Sequence, residues 1–439
     1  MAPPPSSDAD EPSDVTSSDP LTEDTTATKK RSLNSSTAGT LTLPSSSSNT
    51  PEDSLHIPLL PNLPFELIIE ILCRLPVKSL MQFQCVHKSW KSLISDRQFA
   101  KKHLRMSTKD HHHLITTLAN SERDGFSYND YPLTSLFKQV TTTAMQLEHL
   151  LTNGGYRFDH IVGSCHGILC IAIGPGSVLL WNPSIRKFTK LPCLDETPRP
   201  EHDYQFSFGY DHSSDSYKVV VSLYNAIVFI NGNRVFNPLV KVHTLGTNSW
   251  RTIQDFPSGL VREDSLLGKF VCGTINWLAL KIQTPPWIII SLDLEMESYQ
   301  EIVQPDYGGE TTLTSLKLGV LRDCLCIFSR SSDTFTDIWL MKEYRNKESW
   351  IKLFRVPDIR NIGYFPSVCA LYVSEDDQVL LEIKSQYTDG VSMPLDIQSK
   401  LIVYNSRDDT FKDLNIQNTN GVKLAGAQVY HESLISPCF

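Results

Sequence analysis

The sequence predicts a multidomain α plus all-β protein: a disordered N-terminal tail, a small helical bundle and a β-propeller-like domain. Three observations predict this fold class. Residues 1–54 are mainly Ser, Thr, Pro and Asp, a composition that cannot bury enough apolar surface to fold. Apolar residues within 58–104 follow the helical period, and residues 111–439 form short apolar segments separated by Gly, Asn, Asp, Ser or Pro.

The composition favours a soluble protein of the cytoplasm, the nucleus or both. Net charge is -9 and the longest basic run is residues 29–31, so we expect no nucleic-acid partner. That run is either a solvated charge cluster or a minimal nuclear-import patch. No apolar run approaches the roughly 18 residues of a membrane span, and the first residues lack the features of a signal peptide. The ten cysteines show no CxxC spacing, so we expect reduced thiols and no zinc site.

The first helix of the bundle is amphipathic. Pro64 suits its first turn, Glu70 and Arg74 form an i,i+4 pair, and Pro76 ends the helix at Leu75. Its apolar residues share one face: Leu67, Ile68, Ile71, Leu72 and Leu75.

Two or three further short helices follow, with Asp96 as the predicted cap of the last one. Ile69 lies outside the apolar face of the first helix, so this helix carries more apolar surface than one packed face uses. A bundle of this size buries too small a fraction of its surface to be stable alone. We therefore expect it to pack against a neighbour and to offer apolar surface to a partner.

The β domain repeats one theme, in which an apolar strand and a polar turn lead to an aromatic residue and a short strand. The aromatic markers are Phe188, Trp250, Tyr299, Trp350 and Phe411, at intervals of 49 to 62 residues. This spacing is close to that of β-propeller blades. A meandering β-sandwich that reuses one hairpin is the alternative. The segment at 143–153, TAMQLEHLLTN, is the one candidate helix in this region.

The helical stretch LPFELIIEILCRLPVKSLMQFQCVHKSWKSLISDRQF resembles the F-box motif of plant F-box proteins. Further along, GSCHGILCI, WNPSIRKFTKLP, VHTLGTNSWRTI and GTINWLAL resemble the type 1 F-box-associated interaction domain of F-box/kelch-repeat-like proteins. The resemblance covers about residue 60 to the C-terminus. Its ending, YHESLISP, resembles the last strand of the family, which closes the ring. True kelch blades each carry a Gly-Gly doublet, whereas this chain has only residues 154–155 and 308–309.

This resemblance implies a substrate-recognition subunit of an SCF-type ubiquitin ligase, which promotes ubiquitination and proteasomal degradation of a protein substrate. The F-box binds a Skp-family adaptor, and through it a cullin and a RING protein. The adaptor-binding residues carried over are Leu63, Pro64, Leu67, Ile68, Ile71, Leu72, Leu75, Pro76, Leu80 and Val86. Trp90 matches a family tryptophan that supports the bundle from inside. The substrate is not identified, but loops at 195–205, 231–238, 304–312 and 385–395 are candidates for its recognition.

The sequence suggests no catalytic residue, metal ligand or cofactor. Cys165 and His166 are neighbours, and neighbours in a strand point to opposite faces, so they cannot act as a catalytic pair there. Residues 111–113 are three histidines at the start of a predicted strand, and residues 376–377 are two aspartates in a predicted hairpin turn. Two other functions stay open: a non-ligase F-box interaction or scaffold protein, and a propeller enzyme with ionisable residues in the central channel.

Overall fold

The structure is a computed structural model of the chain. It describes residues 63–106, 111–120, 125–138, 145–147, 160–173, 176–194, 203–224, 227–230, 233–236, 239–257, 260–262, 267–280, 287–308, 315–332, 335–357, 367–386, 397–414, 416 and 422–438. The predicted disordered tail, 1–54, lies outside the described residues. No helix in these ranges is long and apolar enough to cross a membrane.

Four short helices form the N-terminal bundle: α1 (Phe65–Leu72), α2 (Val77–Phe83), α3 (Lys88–Ile94) and α4 (Arg97–Met106). The Asp96 carboxylate accepts hydrogen bonds of 2.9 Å from the backbone N–H groups of Gln98 and Phe99, so the predicted cap of α4 is confirmed. The predicted pair of Glu70 and Arg74 is also present, at 3.9 Å.

Helix α1 ends earlier than the sequence analysis predicted. Its last residue is Leu72 instead of Leu75, and Pro76 is the N-cap of α2. The Leu75 N–H bonds to the Leu72 carbonyl in a tighter three-residue turn, because a residue before proline is disfavoured in helical conformation. His103 of α4 then donates a 2.9 Å hydrogen bond from Nε2 to the Leu75 carbonyl, which fixes this turn.

The remainder of the chain is a β-propeller, as the sequence predicted, and the structure gives it six blades. Blade one contains β1 (His112–Asn120), β2 (Gly125–Pro132), helix α5 (Leu133–Phe137) and β3 (Met145–Leu147). Blade two contains β4 (His160–Cys165), β5 (Ile168–Ala172), β6 (Val178–Asn182) and β7 (Lys187–Lys190). Blade three contains β8 (Asp203–Asp211), β9 (Ser216–Tyr224), β12 (Leu239–Thr244) and β13 (Arg251–Thr252), with β10 (Ile227–Ile230) and β11 (Asn233–Phe236) inserted between β9 and β12.

Blade four contains β15 (Lys269–Val271), β16 (Thr274–Leu280), β17 (Trp287–Asp293) and β18 (Tyr299–Ile302), and β14 (Leu260–Arg262) joins β16 to the inserted β10 and β11. Blade five contains β19 (Ser315–Leu321), β20 (Cys324–Ser332), β21 (Phe335–Met341) and β22 (Trp350–Pro357). Blade six contains β23 (Ser367–Val373), β24 (Gln378–Gln386), β25 (Ile397–Asn405) and β26 (Thr410–Asp413). The last strand, β27 (Val422–His431), belongs to blade one.

Ring closure joins the two ends of the β domain. Strand β27 pairs antiparallel with β1 from His112 opposite His431 to Asn120 opposite Val422, with one register shift after Thr117. The first blade is therefore completed by the last strand, which takes the innermost position in its sheet. The expectation of ring closure by the C-terminal strand is confirmed, and residues 432–438 continue beyond it as a tail.

The aromatic markers predicted the blade period correctly. Each lies in, or one residue before, the fourth strand of its blade: Phe188 in β7, Trp250 before β13, Tyr299 in β18, Trp350 in β22 and Phe411 in β26. The candidate helix at 143–153 is wrong where the structure describes it, since residues 145–147 form β3 and pair with β2. Pairing with a neighbouring strand overrides the helical pattern of this segment.

The two ends of the propeller differ. We call one end the turn rim; it carries the tight turns between the first and second strands of blades two to six, at 166–167, 212–215, 272–273, 322–323 and 374–377. The opposite end, the loop rim, is where second strands connect to third strands and where each blade connects to the next. The antiparallel order of the strands places these two sets of connections at opposite ends.

Candidate functional site

The helical bundle exposes five large apolar side chains, which we call the apolar patch. Leu63, Phe65, Leu67 and Ile71 are each about half exposed, and Val86, after α2, is 66% exposed. Leu67 and Ile71 lie one turn apart on α1, so their side chains are neighbours on the helix surface. A cluster of large exposed apolar side chains on a small bundle indicates a protein-binding surface.

The structure separates the ten predicted adaptor-binding residues into three groups. Six are exposed: Leu63, Pro64, Leu67, Ile71, Pro76 and Val86. Ile68 and Leu75 are half-buried. Leu72 and Leu80 are 2% and 0% exposed and lie inside the bundle, so they support the surface from within and are not part of it in this conformation. The adaptor-binding role of the exposed residues stays a prediction.

The excess apolar surface lies on a different side of α1 from the one expected. Ile69, which the sequence analysis placed outside the core, is half-buried and packs against it. Leu67 and Ile71 are instead the residues of α1 whose apolar side chains stay about half exposed. Phe65 was missed, although a bulky aromatic residue in the first turn of an amphipathic helix was a signal that could have pointed to it.

The bundle below the patch is firmly packed. Trp90 meets Phe83 edge to face with ring centroids 5.5 Å apart, in line with the internal role expected for this tryptophan. Lys102 of α4 forms an ion pair with Glu70 of α1, and hydrogen bonding from Lys102 holds the pKa of the Glu70 carboxyl below its usual range. The patch therefore lies on a helix that is tied to the rest of the bundle.

Helix α4 attaches the bundle to the turn rim. Arg97 donates a 2.8 Å hydrogen bond to the backbone carbonyl of Asp215, in the β8–β9 turn, and its guanidinium lies 3.2 Å from the Asp215 carboxylate. Lys101 pairs with the same carboxylate, and its hydrogen bond lowers the pKa of Asp215. Tyr210 also donates to Asp215. The expected neighbour of the bundle is thus the propeller of the same chain.

Apolar packing continues this attachment. One buried cluster contains bundle residues such as Ile94 and Phe99, residues between blades two and three such as Phe206, and Leu434 and Ile435 of the C-terminal tail. The tail itself is held by Asn182 of β6, whose side-chain amide donates to the carbonyls of Ser433 at 3.0 Å and Ile435 at 2.8 Å, among other contacts. The attachment leaves the apolar patch uncovered.

The four candidate recognition loops connect strands at the loop rim, at the other end of the propeller from the bundle. Of the strands that flank them, β7, β18 and β24 end at the loop rim, and β8 and β19 begin there. The structure describes 203–205, 233–236, 304–308 and 385–386 of these segments; their other residues lie outside it. Segment 231–238 is not simply a loop, because residues 233–236 form β11 and link blade three to β14 of blade four.

The neighbours Cys165 and His166 do not form an activated pair. Cys165 ends β4, and burial raises the pKa of its thiol. His166 occupies the β4–β5 turn with φ 51°, its Nδ1 lies 3.1 Å from the Tyr217 hydroxyl, and burial lowers its pKa to about 4. A protonated thiol beside a neutral imidazole lacks the thiolate that nucleophilic catalysis requires. Gly163 lies within β4, next to a register shift in its pairing with β5.

The other candidate polar residues have structural partners. His112 and His113 are in β1, where His113 Nδ1 lies 3.0 Å from the Asp130 carboxylate. Residues 376–377 are in the β23–β24 turn, as predicted. Within the part of the chain that the structure describes, no group of three or more His, Cys, Asp or Glu residues could hold a metal ion.

Comparison with known proteins agrees with this architecture. The F-box domain family matches residues 60–102, and the F-box associated beta propeller domain family matches residues 127–437. The chain is 32% identical to the Arabidopsis thaliana F-box/kelch-repeat protein At3g23880, over 86% of this chain and 96% of the relative. It is 26% identical to the Arabidopsis F-box protein CPR1, over 74% of this chain and 80% of the relative.

Proposed function

This chain belongs to the F-box proteins that carry an F-box-associated β-propeller domain, and on this premise we propose that it is the substrate-recognition subunit of an SCF-type ubiquitin ligase. The F-box binds a Skp-family adaptor, which connects the chain to a cullin and a RING protein. The propeller holds a protein substrate, which is then ubiquitinated and degraded by the proteasome. We place the protein in the cytoplasm, the nucleus or both.

The observation that carries this proposal is the apolar patch of α1. Its residues stay about half exposed even though the same bundle packs firmly on the turn rim. Complete burial of such a side chain from a fully exposed state contributes about 1.5–3 kcal/mol. A partner that covers the exposed half of four or five of them gains several kcal/mol, which suits the core of a stable interface.

The positions of the two surfaces support a bridging role. The patch is on the bundle, at the turn rim, and the candidate recognition loops are at the loop rim. An adaptor and a substrate can therefore bind together without competing for the same surface. Ion pairs and a shared apolar cluster fix the bundle to the propeller, so a bound substrate would be held at a defined position relative to the adaptor.

We propose that this chain contributes position and no chemistry of its own. Holding a substrate near a ubiquitin-charged enzyme raises the effective concentration of the substrate's lysine residues. Ubiquitin transfer would then depend on the cullin and RING subunits and on the enzyme they recruit.

The direct test is to express the full chain with a Skp-family adaptor, a cullin and a RING protein, and to purify it by a tag on the chain. Recovery of all three with the wild type, and loss of all three with Leu67→Asp combined with Ile71→Asp, supports the proposal. Recovery of the adaptor without the cullin indicates the non-ligase alternative. Deletion of residues 60–104 is a poorer control, because it uncovers the apolar cluster that the bundle shares with the propeller.

A further inference from the structure

The axis of the propeller is a channel of about 1090 Å³. Most of its wall comes from the innermost strands of the blades, β27, β4, β8, β15, β19 and β23, and the second strand of blade six, β24, adds Glu382 and Lys384. Much of this wall is apolar, for example Ile161, Leu318 and Leu371. Polar and charged side chains make up the rest of the lining, and a concave cavity that combines apolar and polar groups is typical of a ligand site.

The interior of the channel holds two lysines and one carboxylate. Lys269 lies at the start of β15, and Lys384 and Glu382 lie on β24, across from it. Glu382, only 4% exposed, accepts a 3.2 Å hydrogen bond from the Ala427 backbone N–H. Its other oxygen lies 3.4 Å from the Lys384 ammonium. Glu382 therefore already has two partners within the chain.

Lys269 has no such partner. Within the described ranges its ammonium makes no ion pair or hydrogen bond, and its exposed area faces the channel. Burial lowers the pKa of Lys269, and the like charge of Lys384 lowers it further. A cation that is largely removed from water without a counter-ion is unfavourable, and binding an anion relieves that cost.

Lys384 differs from Lys269 because it has a carboxylate partner, Glu382. Burial alone would lower the pKa of Lys384, but the adjacent Glu382 carboxylate outweighs burial and raises it. Two ammonium groups and one carboxylate leave this part of the channel with one uncompensated positive charge. One further carboxylate would balance it.

The other charged groups of the channel lie toward the turn rim. Arg322 and Asp323 are in the β19–β20 turn, and Glu375 and Asp377 are in the β23–β24 turn. Arg322 lies 3.9 Å from Asp377. His112, His166 and His431 also line the channel. The channel-lining charges at the turn rim are therefore three carboxylates and one guanidinium, which favours the entry of an anion from the loop rim.

We propose that the channel binds a carboxylate group beside Lys269, with Lys384 close by. The carboxylate is either a free organic acid or the side chain of a Glu or Asp residue in the substrate. Binding of a substrate side chain rests on the function proposed above, because that function places the bound substrate at the loop rim.

The test uses the full chain purified with its adaptor and two probes, measured by isothermal titration calorimetry at low ionic strength. Glutarate represents a free acid. The peptide Gly-Gly-Glu-Glu-Gly-Gly represents a substrate segment, and the same peptide with Gln for Glu is its neutral control. Lys269→Met removes the ammonium, Lys269→Arg keeps a charge there, and Lys412→Met removes a lysine from the exposed strand β26.

We expect at least one acidic probe to bind the wild type, with affinity reduced tenfold or more in Lys269→Met and retained in Lys269→Arg and Lys412→Met. If glutarate binds and the acidic peptide does not, the ligand is a free acid. If the acidic peptide binds more tightly than its Gln control, the ligand is a substrate segment. The proposal is overturned if neither acidic probe binds, or if Lys269→Met binds as well as the wild type.

Melting curves for each variant, with and without glutarate, show whether it is folded, and Lys269→Gln replaces Lys269→Met if that variant does not fold. Adaptor recovery with the same variants is expected to be unchanged. A failure of carboxylate binding with normal adaptor recovery rejects the channel site alone, whereas loss of adaptor binding by the wild type would reject the proposed function.

Discussion

The apolar patch gives a quantitative prediction for adaptor binding. Leu67 and Ile71 are each 51% exposed, so about half of each side chain remains for a partner to cover. At about 1.5–3 kcal/mol for complete burial, the two exposed halves together contribute about 1.5–3 kcal/mol. Aspartate at both positions removes this contribution and places two carboxylates in the interface, at a further cost of roughly 1–3 kcal/mol or more. We therefore expect Leu67→Asp with Ile71→Asp to weaken adaptor binding at least about 100-fold.

The same substitutions should leave the fold intact, because both side chains already contact water. The expected cost to folding is about 1 kcal/mol, from the lower helix propensity of aspartate and partial loss of packing. Binding is measured by surface plasmon resonance with the immobilised adaptor, and folding by thermal melting. The matched control is Met296→Asp with Val303→Asp, two exposed apolar residues of blade four, at 72% and 59%. Wild-type affinity in the patch variant, or an equal loss in the control, would refute this reasoning.

Two further predictions concern stability at the junction of the propeller and the C-terminal tail. Burial lowers the pKa of His166 to about 4, below the ordinary histidine pKa near 6.5. Between these two pH values the unfolded chain binds a proton at this residue and the folded chain does not. Roughly 3 kcal/mol of stability that is present above pH 6.5 is therefore lost as the pH falls toward 4. His166→Asn, which tolerates the positive φ, should show a flatter pH dependence of urea unfolding; an unchanged curve would contradict this. Gly167→Ala places a methyl group 2.5 Å from the His431 carbonyl and should cost about 1–3 kcal/mol more than Gly308→Ala, where the space is open; equal losses would contradict this.

Much of the fold could be predicted because its signals are local. The aromatic marker and the polar turn before it recur in each of blades two to six, so the fourth strands of those blades were predicted without any long-range information. Blade one has no such marker, and its outer strand β3 was taken for a helix. The end of α1 was placed too late because Pro76 already disfavours helical conformation at Leu75, and a hydrogen bond from His103, 28 residues after Leu75, then holds the non-helical turn.

The functional surfaces were less accessible to sequence analysis. Periodicity identifies the apolar face of α1, but it cannot show which part of that face the rest of the bundle covers. The structure shows that Leu72 is enclosed and that Leu67 is not. The channel lysines come from different blades and line the same channel only when the ring closes. Their one local signal was a charged residue within an otherwise apolar strand, as at Lys269 in GKFVCG and Lys384 in LLEIKS.

The most direct test of the receptor function is hydrogen exchange of the full chain with and without a Skp-family adaptor. Adaptor binding should slow exchange in residues 63–86, which include α1, α2 and the patch, while the β strands near the loop rim keep their rates. Protection of the loop rim in place of these residues, or no protection at saturating adaptor, would contradict the assignment of the patch as the adaptor-binding surface.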